Sequence, residues 1–176
     1  MKKYFFALIT TLLLSPVFGY SQELSDGGFQ WGIEGRWDGF FINNIKLADI
    51  SLGWRIDRKE YLGLRIGAGT GSSYLDAVPA HEKFTAFPLM ADYTHYFPIG
   101  KSRKHSIILG AEAGPVFRHY SKMVEDREFV STNKWGRKTF LGGIKFGLDF
   151  ALGKPHIYAN LHVNYVGVGC GFGFTF

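Results

Sequence analysis

The last nine residues of the chain alternate without a break. Val168, Cys170, Phe172, Phe174 and Phe176 stand at every second position, with Gly169, Gly171, Gly173 and Thr175 between them. A period of two belongs to a β-strand with two unlike faces. One face carries three phenylalanines and the other is nearly bare. A face this aromatic needs an apolar surrounding, and the segment predicts a strand turned toward lipid.

The same period runs through the chain. Eight segments show it, at about 29–41, 47–57, 61–71, 84–97, 105–119, 138–152, 156–165 and 167–176. The first sets Phe29, Trp31, Ile33, Trp37 and Phe41 against Gln30, Glu34, Arg36 and Asp38. The second sets Ile50, Leu52, Trp54 and Ile56 against Asp49, Ser51 and Arg55, and the third sets Leu62, Leu64, Ile66 and Ala68 against Gly63, Arg65, Gly67 and Gly69. The fourth to seventh repeat the pattern around Asp92, Glu112 and Arg118, Lys145 and Asp149, and His156 and His162. Pro88, lacking an N–H, marks a local defect in the fourth. One face is apolar throughout and the other is charged or glycine-rich. A soluble barrel would turn the apolar face inward, and a membrane barrel turns it outward.

Three features favour the outward arrangement. Met1, Lys2 and Lys3 precede an apolar run from Tyr4 to Leu14, then the small residues Gly19 and Ser21. This reads as a secretory signal peptide over 1–21, leaving one domain over 22–176. The C-terminal alternation resembles the signature of bacterial outer-membrane β-barrels, in which a terminal Phe after alternating apolar residues is read by the insertion machinery. Aromatic residues also gather near segment ends, with Trp31, Trp54, Tyr93 and Phe176 at one border and Trp37, Phe41, Phe117 and Tyr165 at the other. The composition, with 23 Gly and 17 Phe, suits curved strands and lipid-facing girdles. No apolar run after the signal is long enough for a transmembrane helix.

The links between segments are unequal. Asp57–Glu60, Pro98–Lys104 and Gly153–Pro155 are short and turn-like, whereas Ser72–Lys83 and Tyr120–Gly136 are long, and the latter is charged. Short turns on one side and long loops on the other are the asymmetry of an outer-membrane barrel. The expected fold is all-β: an eight-stranded antiparallel up-and-down transmembrane β-barrel in the bacterial outer membrane. In architecture it resembles the small OmpA/OmpX-type barrels, whose lumen a polar network fills.

The inward face would hold Glu34, Arg36, Asp38, Asp49, Arg55, Arg65, Asp92, Glu112, Arg118, Lys145 and Asp149. An eight-stranded barrel is only wide enough inside for side chains. Opposite charges confined there should pair, because an unpaired buried charge is costly. A salt-bridged plug is expected, with a narrow ion or small-solute path as the alternative.

Other constellations carry less. Gly67, Gly69 and Gly71 mimic a nucleotide loop, but no helix follows and the alternation recurs in other segments, so close packing inside a barrel accounts for them. His156 and His162 share a face about 20 Å apart along a strand and cannot hold one metal together. The formal net charge is +5, two units of it from Lys2 and Lys3, with no long basic run, so nucleic acid is not implied. Cys170 reads as a small apolar residue. His119 and Ser121, two apart on a strand, should point the same way, with Glu125, Asp126 and Glu128 following. The pair is similar to the His-x-Ser arrangement of outer-membrane lipid A deacylases, although Lys122 and Met123 stand where that family has Asn-Ala. It would imply a lipid-modifying enzyme. The leading expectation is a monomeric, non-enzymatic barrel, without metal or cofactor, serving a structural, adhesive or limited permeation role. Its partners would be outer-membrane lipid, lipopolysaccharide and the barrel-insertion machinery. The 120–136 link would be its surface for external partners.

Overall fold

The computed structural model describes residues 27–39, 43–57, 59–75, 78–100, 104–125, 128–136, 139–152, 155–164 and 167–176. The expected signal peptide and the girdle residues Phe41 and Tyr165 lie outside them. Among the described residues there are nine strands: β1 (Gly28–Asp38), β2 (Asn43–Arg55), β3 (Glu60–Leu75), β4 (Val78–Ile99), β5 (His105–Glu125), β6 (Glu128–Trp135), β7 (Thr139–Ala151), β8 (His156–Asn164) and β9 (Gly167–Thr175). All pair antiparallel. Eight of them, β1 to β5 and β7 to β9, close into a ring.

The ring closes where β9 meets β1, from Gly32↔Thr175 to Asp38↔Gly169. Phe176 extends the seam. Its N–H donates to the Trp31 carbonyl at 2.8 Å, and the Trp31 N–H donates back at 3.2 Å. The two rings stack with centroids 4.6 Å apart. Closure leaves no unpaired edge in the ring, which is what a sheet in hydrocarbon requires.

The face assignment holds in every strand of the ring. Ile50, Leu52, Leu64, Ile66, Phe146 and Phe172 are exposed on the outside, while Glu34, Arg65, Asp92 and Glu112 are buried inside. Charge within and hydrocarbon side chains without is the inversion that defines a transmembrane barrel. Phe29 and Trp54 meet edge to face, with centroids 5.4 Å apart, on the same side of the barrel as the Trp31–Phe176 stack. The pairing of β3 with β4 lapses between Ile66↔Leu89 and Gly69↔Ala86, the stretch that contains Pro88.

The two ends of the barrel differ, as the link lengths predict, but the long links are not loops. β3 runs on to Leu75, β4 starts at Val78, and β5 continues to Glu125 before β6 returns. β5 pairs with β7 over 105–116 and then with β6 over 119–125. The expected loops at Ser72–Lys83 and Tyr120–Gly136 are therefore largely hairpin. In these segments apolar and polar residues stop alternating, as at Val78, Pro79 and Ala80 or Met123 and Val124, so the side-chain period that marks a strand is weak there, while backbone pairing needs no such period. β4 has 22 residues and β5 has 21. Crossing the hydrocarbon takes about 9–11 residues, so both project well beyond it. At the opposite end, Asp57 Oδ1 accepts from the backbone N–H groups of Lys59 at 2.6 Å and Glu60 at 2.9 Å, which folds the short turn between β2 and β3.

Candidate functional site: the ion-paired lumen

The lumen is filled in three storeys. At the turn end, Tyr61, Tyr96, Ile108 and Tyr158 cluster. The half-buried Arg55 lays its guanidinium 4.1 Å over the Tyr96 ring. At the hairpin end, Ile45, Leu47, Phe84, Ala86, Met90, Val116 and Leu141 form an apolar layer with Tyr120 against it. Arg118 lies 4.6 Å over the Phe84 ring. Between these layers lies the charged storey.

Arg65 stands at its centre, only 2% exposed. Its guanidinium bonds Glu34 and, at 2.9 Å, Asp92. Asp49 and Glu112 lie 3.8 Å and 3.9 Å away, within ion-pair but not hydrogen-bond range. Lys145 donates to the second oxygen of Asp92. Arg36 pairs with Glu112 at 2.6 Å and also with Asp38. Five strands, β1 to β5, thus supply Arg65 and its four carboxylates, and β7 adds Lys145. The guanidinium presents five donors in a rigid planar fork, which holds several carboxylates in fixed directions, whereas an ammonium has three on a flexible stem.

The remaining lumen charges lie to either side. Asp149 faces the turn end, where His156 Nδ1 lies 2.7 Å from its Oδ2. All eleven predicted lumen charges except Arg55 are buried. The structure draws Glu34, Arg36, Asp38, Asp49, Arg65, Asp92, Glu112 and Lys145 into one network and leaves Arg55, Arg118 and Asp149 with other partners.

Three neighbours were not assigned to this network from sequence, although His162 was weighed there as a metal ligand. His162 is 1% exposed and joins two strands' carboxylates, with Nε2 3.0 Å from Glu34 and Nδ1 3.6 Å from Glu112. Tyr158 donates to Glu34 at 2.8 Å. Asn160 is buried beside them. Alternation placed all three inward, but nothing local tells which partner they would meet.

The inward glycines have a use in this storey. A Cβ on Gly171 would come within 2.6 Å of Asn160 Oδ1 and still closer to Glu34. On Gly110 it would lie 2.6 Å from Lys145 Cε, and on Gly67 it would meet the Asp49 carboxylate. Glycine leaves room for a neighbour's long polar side chain to fold across the bore. Gly171→Val is therefore expected to cost about 1–3 kcal/mol through overpacking. The outward neighbour Cys170, changed to Ala, should stay within about 0.5 kcal/mol. Urea unfolding of both variants in lipid vesicles checks this, and equal midpoints for the two would contradict it.

A cavity on the turn side of the bore is lined by Gln30, Ser51, Tyr61, Thr94, Tyr96 and Asn160 among others, and meets Arg65, Asp92 and Lys145. None of the apolar residues of the hairpin end lines it.

His119 and Ser121 do not form the arrangement their spacing suggested. The β4–β5 register shifts at this point, from Phe84↔Tyr120 to Lys83↔Lys122, so Ser121 sits in a β-bulge. Its hydroxyl donates to the Lys83 carbonyl at 3.2 Å. The His119 ring instead meets Trp135 edge-on, with centroids 5.0 Å apart. No hydrogen bond joins the two side chains among the described residues. Trp135 also packs on Phe87, with centroids 5.8 Å apart, and supplies an aromatic border at the hairpin end that the sequence had left within a polar link.

Ring closure, inverted faces and an occupied bore define the class: a small eight-stranded transmembrane β-barrel of the outer-membrane type. Comparison with solved structures agrees. Neisserial surface protein A aligns over 85% of this chain and 97% of its own, with a TM-score of 0.55 and 14% identity. The N-terminal β-barrel domain of Pseudomonas aeruginosa OprF aligns over 86% of this chain and 98% of its own, with a TM-score of 0.40 and 16% identity. At 14% identity the likeness to the neisserial protein is one of fold alone. No family model matches the chain, and no curated protein matches it.

Proposed function

We propose that the protein is a non-enzymatic barrel of the bacterial outer membrane with a sealed lumen, acting through its projecting hairpins in a structural or adhesive role. The observation that carries this reading is Arg65, held across the bore by Glu34 and Asp92 and flanked by Asp49 and Glu112. An ion would have to displace a buried, multiply paired guanidinium and then cross an apolar layer, and both barriers oppose conduction. In this reading the short turns face the periplasm and the β3–β4 and β5–β6 hairpins face outward. The similarity to a neisserial protein described as a surface protein supports an outward-facing role. Lipid and lipopolysaccharide are then its surroundings. The Val168, Cys170, Phe172, Phe174 and Phe176 face is what the insertion machinery would read. The closed ring needs no strand from a partner, which supports a monomer.

The test is single-channel conductance of the refolded mature chain in a planar bilayer. A silent barrel with a heat-dependent gel shift is the expected result. Steady conductance that changes on Glu112→Ala would replace this reading with permeation.

A further inference from the structure

The bulge at Ser121 has a second effect. Along β5, Val116, Arg118 and Tyr120 face inward, and strict alternation would turn Lys122 inward as well. The extra residue instead places Lys122 directly opposite Lys83 on β4, and both are exposed. Lys83 shares the outward parity of Phe87 and Leu89. The Ser121 hydroxyl, bonded to the Lys83 carbonyl, holds the bulge in place.

Like charges directly opposite across an antiparallel pair are destabilising, with Cβ atoms about 4.5–5.5 Å apart. Glu82, the neighbouring acid, has the opposite parity and accepts from Ser73 at 3.2 Å. Next along the ladder stand Thr85↔His119 and then Phe87↔Phe117, with Trp135 packed on both Phe87 and His119. The lysines therefore lie about 7 Å along the strands beyond an aromatic border, which is headgroup depth if that border marks the interface.

We propose that Lys83 and Lys122 form a clamp for one phosphate of a phosphorylated lipid headgroup in the leaflet at the hairpin end. This rests on the membrane reading above. Two ammonium groups converging on one phosphate neutralise each other's repulsion, and the Trp135–His119 edge borders the lipid below the headgroup. A bulge that re-aims one side chain at a rim is a recurrent device. Here it creates the pair.

The test uses the mature chain refolded in dodecyl maltoside, a detergent without phosphate. Native mass spectrometry follows its retention of bisphosphorylated lipid A, with inorganic phosphate titrated separately. A charge-assisted bond from each lysine to the phosphate contributes on the order of 1 kcal/mol, or about fivefold in affinity. Lys83→Gln and Lys122→Gln should each weaken lipid A retention about fivefold, and the double variant about 25-fold. Lys46→Gln, at an exposed lysine opposite Trp37 on β1, should leave it unchanged.

An equal fall for Lys46→Gln, or none for the double variant, overturns the clamp. Displacement of lipid A by inorganic phosphate at equal concentration overturns the lipid as occupant in favour of free phosphate. Should a variant fail to fold, the wild type still decides: lipid A retention that added salt does not weaken contradicts a two-lysine site. Insertion into phosphatidylcholine vesicles without lipid A retention removes the clamp alone, whereas failure to insert at all removes the membrane reading with it.

Discussion

Arg65→Met is expected to lower the stability of the refolded barrel by about 3–5 kcal/mol, because it leaves buried carboxylates without their cation. Lys145 can still serve Asp92 and Arg36 can still serve Glu112, but Glu34 and Asp49 lose their guanidinium. Met fills much of the volume, so the loss is electrostatic rather than a cavity. Arg65→Lys keeps the charge but not the fork, and should fall between the two. Urea titration in lipid vesicles, read by tryptophan fluorescence and gel shift, measures all three proteins. An Arg65→Met midpoint equal to wild type would mean that the network is not what holds the bore together.

The second large effect lies on the outer face. Ile66 is exposed and sits opposite Leu89 on β4 and Ile50 on β2. It lies between the Trp54–Leu62–Tyr93 row toward the turn end and Phe87 with Trp135 toward the hairpin end. Ile66→Arg should therefore cost about 2–4 kcal/mol in a bilayer, the figure for arginine near the midplane. Thr85→Arg, one ladder step from Phe87 and opposite His119, should cost about 0–1 kcal/mol, the figure near the interface. A barrel turned to water would tolerate arginine equally well at both positions. The depth dependence, measured by the same titration, separates the two cases.

The sequence carries the strand faces because they obey a local rule. Residues i and i+2 share a face whatever the strand pairs with, so Glu34, Arg36 and Asp38 can be placed together from three letters of text. The rule cannot be read where apolar and polar residues stop alternating, as at Val78, Pro79 and Ala80 or Met123 and Val124. That is why β6 and the ends of β3, β4 and β5 were read as loops, and why Trp135 escaped notice as a border residue. It also lapses at a bulge, where one inserted residue, Ser121, turned an apparent His119–Ser121 pair into a lysine pair across two strands.

Alternation gave the eight segments and their two unlike faces, and the signal-like N-terminus, the terminal Phe and the aromatic ends together pointed to a barrel with an apolar outside and a charged inside. Such an inside required that those charges pair. Which charges pair was decided only by the tertiary structure. Arg65 meets Glu34 from 31 residues away and Asp92 from 27, Lys145 meets Asp92 from 53, and His162 meets Glu34 from 128. Those meetings depend on the register of each ladder and on closure of the ring between β1 and β9, which set the height of every side chain in the bore. Register is a property of strand pairs, and no single strand's sequence contains it.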